Sequence, residues 1–179
     1  MRRLAPALLL LPLLAAGCKE TPESFPCPGT PVATFAFNGT RTEVSCKDGA
    51  PAAGTNSVYP ATVSFTGTIS HLTSGGSAAL CVARPRAEPL IGTLVSDALD
   101  VALDTRGALF GECDPRCAVT VRQQVNGTLQ RDPGGVAVGF TGTLLDTATL
   151  DITVPGAFCN QCVTPCHASY ALTGLPPGT

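Results

Sequence analysis

Ala61-Thr62-Val63-Ser64-Phe65-Thr66-Gly67-Thr68-Ile69-Ser70 sets apolar side chains against hydroxyls at every second position. A period of two places one set on the buried face of a strand and the other in solvent, whereas a helix would repeat near 3.6. Thr73-Ser74-Gly75-Gly76-Ser77 follows as a turn, and a returning strand through Leu80 and Val82 completes a hairpin of the kind Gly-Gly loops favour. A second hairpin is equally legible. Val119, Val121, Val125 and Leu129 share one face, Arg131-Asp132-Pro133-Gly134-Gly135 turns, and Val136, Val138, Phe140 and Leu144 return. The outer face of its first strand carries Thr120, Arg122, Gln124 and Thr128. Leu150, Ile152 and Val154 alternate with polar neighbours and read as a third strand of this meander.

Between these hairpins, residues 90 to 105 fit two periods. Leu94, Val95, Ala98, Leu99 and Ala102 suit a helical face, while Leu99, Val101 and Leu103 alternate with Asp100 and Asp104. The β context on both sides favours strand-turn-strand. An apolar residue, any residue, then Gly-Thr recurs at Phe37, Phe65, Leu90, Val125 and Phe140, at irregular intervals that exclude a solenoid or propeller. Gly67 and Gly142 share the faces of Phe65 and Phe140, leaving room for strand bending or for a neighbouring ring. The expected fold is all-β: an antiparallel sandwich or barrel of about eight to ten strands, stapled by disulfides.

The N-terminus has a different character. Arg2 and Arg3 precede an apolar run from Leu4 to Leu14 that ends in Ala15-Ala16-Gly17-Cys18. The run is too short to span a bilayer and contains Pro6 and Pro12. This leader resembles a bacterial lipoprotein signal, with Ala15 where the family most often carries Leu. An ordinary secretory signal is the competing reading, and the flanking pattern of a twin-arginine signal is lacking. The resemblance implies cleavage of residues 1–17 and acylation of Cys18, whose fatty chains anchor the protein to a membrane at about 0.8 kcal/mol per buried methylene. It also implies the cell envelope, and Lys19, where an aspartate commonly retains such proteins on the inner membrane, points to the outer membrane. Residues 18–31 are then a lipidated cysteine and a tether stiffened by Pro22, Pro26, Pro28 and Pro31, and residues 32–179 a single domain.

The loss of Arg2 and Arg3 from 11 basic residues leaves nine against 13 acidic ones, with no basic cluster, which argues against a nucleic-acid partner. The expected partners are the membrane, through the lipid, and another envelope or surface protein.

Eight further cysteines, Cys27, Cys46, Cys81, Cys113, Cys117, Cys159, Cys162 and Cys166, make an even set that reads as disulfides in an exported chain, with connectivity open. Cys27 is expected to staple the far end of the tether to the domain. Cys113, Cys117, Cys159, Cys162, Cys166 and His167 are the only dense constellation. Thiolates at those spacings suit tetrahedral zinc, and oxidising conditions favour bridges instead. Cys-x-x-Cys-His for haem is absent, and so is the βαβ setting of a thioredoxin-like centre. No cofactor is expected.

His71 and His167 are the only imidazoles, there is no Gly-x-Ser-x-Gly elbow, and no catalytic residue is assigned. Asp100, Asp104, Asp146 and Asp151 match no calcium loop and read as a solvated sheet face. With no tryptophan and only Tyr59 and Tyr170, sugar-stacking platforms are scarce. Three functions compete. The first is a non-enzymatic envelope module acting by contact. The second is an enzyme or metal site on the Cys113/Cys117 and Cys159–His167 loops. The third is a small-ligand carrier whose cavity is lined by Phe65, Val121 and Phe140.

Overall fold

The structure is a computed structural model, and it describes residues 27–45, 59–73, 75–84, 87–108, 117–152 and 164–178. Eight antiparallel strands follow one another around a closed barrel. They are β1 (Thr30–Val44), β2 (Thr62–His71), β3 (Ser77–Val82), β4 (Leu90–Val95), β5 (Ala98–Ala108), β6 (Ala118–Arg131), β7 (Ala137–Ile152) and β8 (Cys166–Leu175). Each strand pairs with its sequence neighbours, and β1 pairs with β8 to close the wall. Full closure leaves the sheet no terminal strand and resolves the choice between sandwich and barrel.

The strand-turn-strand reading of residues 90–105 holds, with β4 and β5 joined through Ser96 and Asp97. The expected third strand at Leu150 does not exist as a separate element. Residues 137–152 form one strand, because no turn residue interrupts the alternation of Leu144, Asp146, Ala148 and Leu150. Val136 and Val138 also depart from the expected buried face. They are 62% and 41% exposed, because Val136 precedes β7 and a register shift between Gln130 and Arg131 makes Val138 the extra residue, so that Ala137 packs against the core in its place.

Inward-facing residues fill the barrel. Phe35, Phe37, Ile69, Leu80, Leu94, Leu99, Val125, Phe140 and Leu172 are all buried. Phe37 is the hub, with its ring 4.9 Å from Phe65 in a stacked arrangement and 5.5 Å from Phe140 edge-on. Burial of such a ring contributes about 1.5–3 kcal/mol. Gly67 makes this possible, because a Cβ there would sit 3.2 Å from the Phe37 ring and 3.0 Å from Leu80. The expected accommodation of an aromatic ring beside that glycine is therefore present, with Phe37 as the ring.

The two ends of the barrel differ. The β2–β3, β4–β5 and β6–β7 connections are short and lie at one end, called here the turn end. The connections 45–61, 83–89, 109–117 and 153–165 all leave from the other, the loop end. Ahead of β1, Cys27 is disulfide-bonded to Cys81 on the outer wall, and Ser70 donates a hydrogen bond to the Pro28 carbonyl. This covers Ser70 completely, and it fastens the incoming chain as expected for Cys27.

Candidate functional site

Toward the loop end the barrel interior changes chemistry. On β8, Ala168, Tyr170 and Leu172 alternate inward, and on β7 the inward row runs Phe140, Leu144, Asp146, Ala148. Asp146 thus does not belong to a solvated face. It is 8% exposed, while Asp100 and Asp104 lie on the outer surface as expected, and the side chain of Asp151 lies outside the described residues. The parity was readable, because Asp146 is two residues from Leu144 and six from Phe140, which puts all three on one face.

Register assembles the neighbours of Asp146. Gln123 lies opposite it on β6 and donates an amide N–H to its Oδ1 at 3.2 Å. Tyr170 lies opposite Leu144 on one side and Arg41 of β1 on the other. Tyr59 comes from the connection between β1 and β2. It is 5% exposed, and its carbonyl accepts a hydrogen bond from the Arg41 guanidinium. The Arg41 main-chain N–H holds Ala61 O at 2.9 Å, so one residue of β1 fixes the returning connection at two points. Tyr170 is completely buried, and its hydroxyl has no hydrogen-bond partner among the described residues.

Electrostatics follow from this burial. Removal from water raises the Asp146 carboxyl above the usual aspartate range, opposed by the hydrogen bond from Gln123. Burial pushes the Tyr59 phenol up to about 12, with further contributions from Asp146 and Tyr170. Tyr170 is raised for the same first reason and then by Asp146, with Arg41 acting against the shift. Both phenols therefore remain protonated at neutral pH. The cluster offers one cation, two hydroxyls, an amide and a carboxyl whose burial disfavours ionisation.

On the outer wall at the same end, Ser45 Oγ lies 3.0 Å from His167 Nδ1, and His167 Nε2 lies 3.2 Å from Glu43. The order hydroxyl, imidazole, carboxylate is that of a hydrolytic triad. Here the same groups also fasten two strands. Ser45 Oγ accepts the main-chain N–H of His167 at 2.9 Å, and Ser45 N–H donates to His167 O at 2.8 Å. These bonds extend the β1–β8 ladder beyond the bulge between Arg41 and Glu43.

Among the cysteines, Cys117 and Cys166 are disulfide-bonded, like Cys27 and Cys81. They are not available as thiolate ligands, and His167 has both ring nitrogens engaged. Cys18, Cys46, Cys113, Cys159 and Cys162 lie outside the described residues. No group of three or more metal-ligating side chains occurs among the described residues. His71 stands exposed at the turn-end terminus of β2. Of the three residues expected to line a carrier cavity, Phe140 belongs to the filled core, while Phe65 and Val121 pack against it. Sequence reasoning missed Arg41, Tyr59, Gln123 and Tyr170 as a group, because two strand pairings and one loop residue bring them together. No protein-family model, curated protein or solved structure matches the chain.

Proposed function

We propose that the protein is a lipid-anchored, non-enzymatic module of the bacterial cell envelope that works by contact, with the loop end of the barrel as its contact face. The observation that carries this reading is the separation of the attachment point from the long connections. The incoming chain is fastened to the outer wall nearer the turn end, through Cys27–Cys81 and the Ser70 hydrogen bond to Pro28. The long connections all leave from the opposite end. A chain tethered at Cys18 and entering there presents its loops away from the lipid. Connecting segments carried on a rigid scaffold are the usual place for recognition. The disulfides suit an oxidising compartment.

The test uses the full chain in a Gram-negative host, with a photoreactive residue replacing Glu43 or Glu88 at the loop end, or Asp132 or Val136 at the turn end. The reading expects protein adducts at the first pair and none at the second, in a membrane fraction that loses the protein when Cys18→Ser is introduced. Adducts confined to the turn end would overturn the contact face, and unchanged membrane association of the Cys18→Ser chain would overturn the lipid anchor.

A further inference from the structure

The barrel wall is uneven in height. β3 and β4 have six residues each, whereas β5 has 11 and β7 has 16. β4 covers β5 only from Ala98 to Ala102, but β5 continues to Ala108 with β6 as its partner on the other side. From Leu103 onward β5 has no strand partner on that flank among the described residues.

Hydrogen-bond phase tells which backbone groups face that flank. The Leu94 N–H points away from β5, to Gly76 O, so its neighbour Thr93 faces β5 and pairs with Asp100. Asp97 O accepts from Leu129 N–H on β6, which fixes the opposite phase for the odd-numbered residues of β5. Asp104 and Arg106 therefore direct both main-chain groups toward the side that β4 has vacated. Among the described residues no main-chain hydrogen bond reaches them there. Both residues are exposed.

We propose that this edge pairs with the same edge of a second copy of the chain, antiparallel about a two-fold axis at Thr105. That register places Asp104 opposite Arg106 of the other copy, and Arg106 opposite its Asp104. Each pair faces the other with free N–H and C=O groups, the geometry in which antiparallel residues exchange both hydrogen bonds. Opposite charges directly across a pair of strands stabilise it, and like charges destabilise it. A parallel arrangement would set Asp104 beside Asp104 and Arg106 beside Arg106, so the charge order selects the antiparallel register. Arg122 already lies 3.1 Å from Asp104 across β6. The paired sheet would then carry a row of Arg122, Asp104 and the second copy's Arg106, in alternating sign. Lone charges on an edge usually serve to prevent pairing. Here opposite signs two residues apart make the edge complementary to itself, as an isologous dimer requires. The bulge between Arg106 and Ala108 ends the pairing on the far side.

Sedimentation equilibrium of the full chain in density-matched detergent micelles tests the proposal. The wild type is expected to dimerise with increasing concentration. Arg106→Glu and Asp104→Arg should each weaken association at least tenfold, with the thermal midpoint of the barrel nearly unchanged. The double variant Asp104→Arg with Arg106→Glu should regain most of the loss. A wild type that remains monomeric, single variants that dimerise as tightly as wild type, or a double variant no better than either single would overturn it.

Discussion

The two ends of the barrel solve the same problem, reversing a strand, in opposite ways. At the turn end the chain reverses within a few residues, and each reversal is held by short-range chemistry. Gly75 and Gly76 take positive φ values of 71° and 80°, and Gly135 takes 83°. Asp132 accepts Val136 N–H at 2.8 Å. Arg131 reaches sideways to Asp97 of the neighbouring turn at 2.6 Å and to Gly135 O at 2.8 Å, joining two hairpins into one cap. The loop end has long connections, an interior carboxyl, a buried phenol and the disulfide-bonded Cys117 and Cys166. The difference teaches that one end is held by short-range bonds within and between its turns, while the other carries groups whose burial costs free energy. Buried polar groups of that kind are usually retained for a reason other than stability, with specificity of structure the best attested.

The comparison can be broken most severely by releasing the staple on the outer wall. Replacing Cys27 and Cys81 together with serine opens a loop of sequence separation 54 and should lower stability by about 4 kcal/mol, read as a shift in the urea midpoint of the purified chain. An unchanged midpoint would mean that the turn end does not depend on its fastening. Tyr170→Phe works in the other direction. It deletes a hydroxyl with no partner among the described residues and should stabilise the barrel by about 1 kcal/mol, whereas a loss would show the hydroxyl to be usefully bonded.

Asp146→Asn sharpens the contrast through pH, with a smaller gain. Because the folded carboxyl is raised above its ordinary value of 3.8, the folded state holds its proton more tightly than the unfolded chain. Wild-type stability is therefore greatest below that value and declines as pH rises through the folded one. The asparagine variant should match wild type near pH 3 and exceed it at pH 7. Denaturation curves with the same offset at both pH values would contradict the assignment. The least effect is expected from Arg122→Ala, about 0.3 kcal/mol, since both partners of its ion pair with Asp104 are roughly half exposed. A change above about 1 kcal/mol would show that this wall depends on its surface charges.

Much of the architecture was legible because it is local. The hairpins at Gly75-Gly76 and at Asp132 to Gly135 announce themselves by alternation on each side of turn residues. β8 was harder to see. Ala168, Tyr170 and Leu172 alternate cleanly, but they follow a cysteine-rich stretch that draws attention to metal or redox chemistry. Closure was illegible for a different reason. The pairing of Arg41 with Tyr170 joins positions at opposite ends of the chain, and no periodicity encodes which distant strand meets which. The polar cluster suffered from the same cause, since Arg41 and Tyr170 meet only through that seam. Asp146 alone could have been placed inside by counting residues from Phe140.

The seam between β1 and β8 also imposes an order of events. Every other pairing joins strands adjacent in sequence and can form as soon as both are present, whereas the seam needs the first strand and the last. Until β8 is in place, β1 and β7 each expose the flank that β8 covers in the closed barrel. β8, the strand that meets both open flanks, is therefore the latch of the barrel.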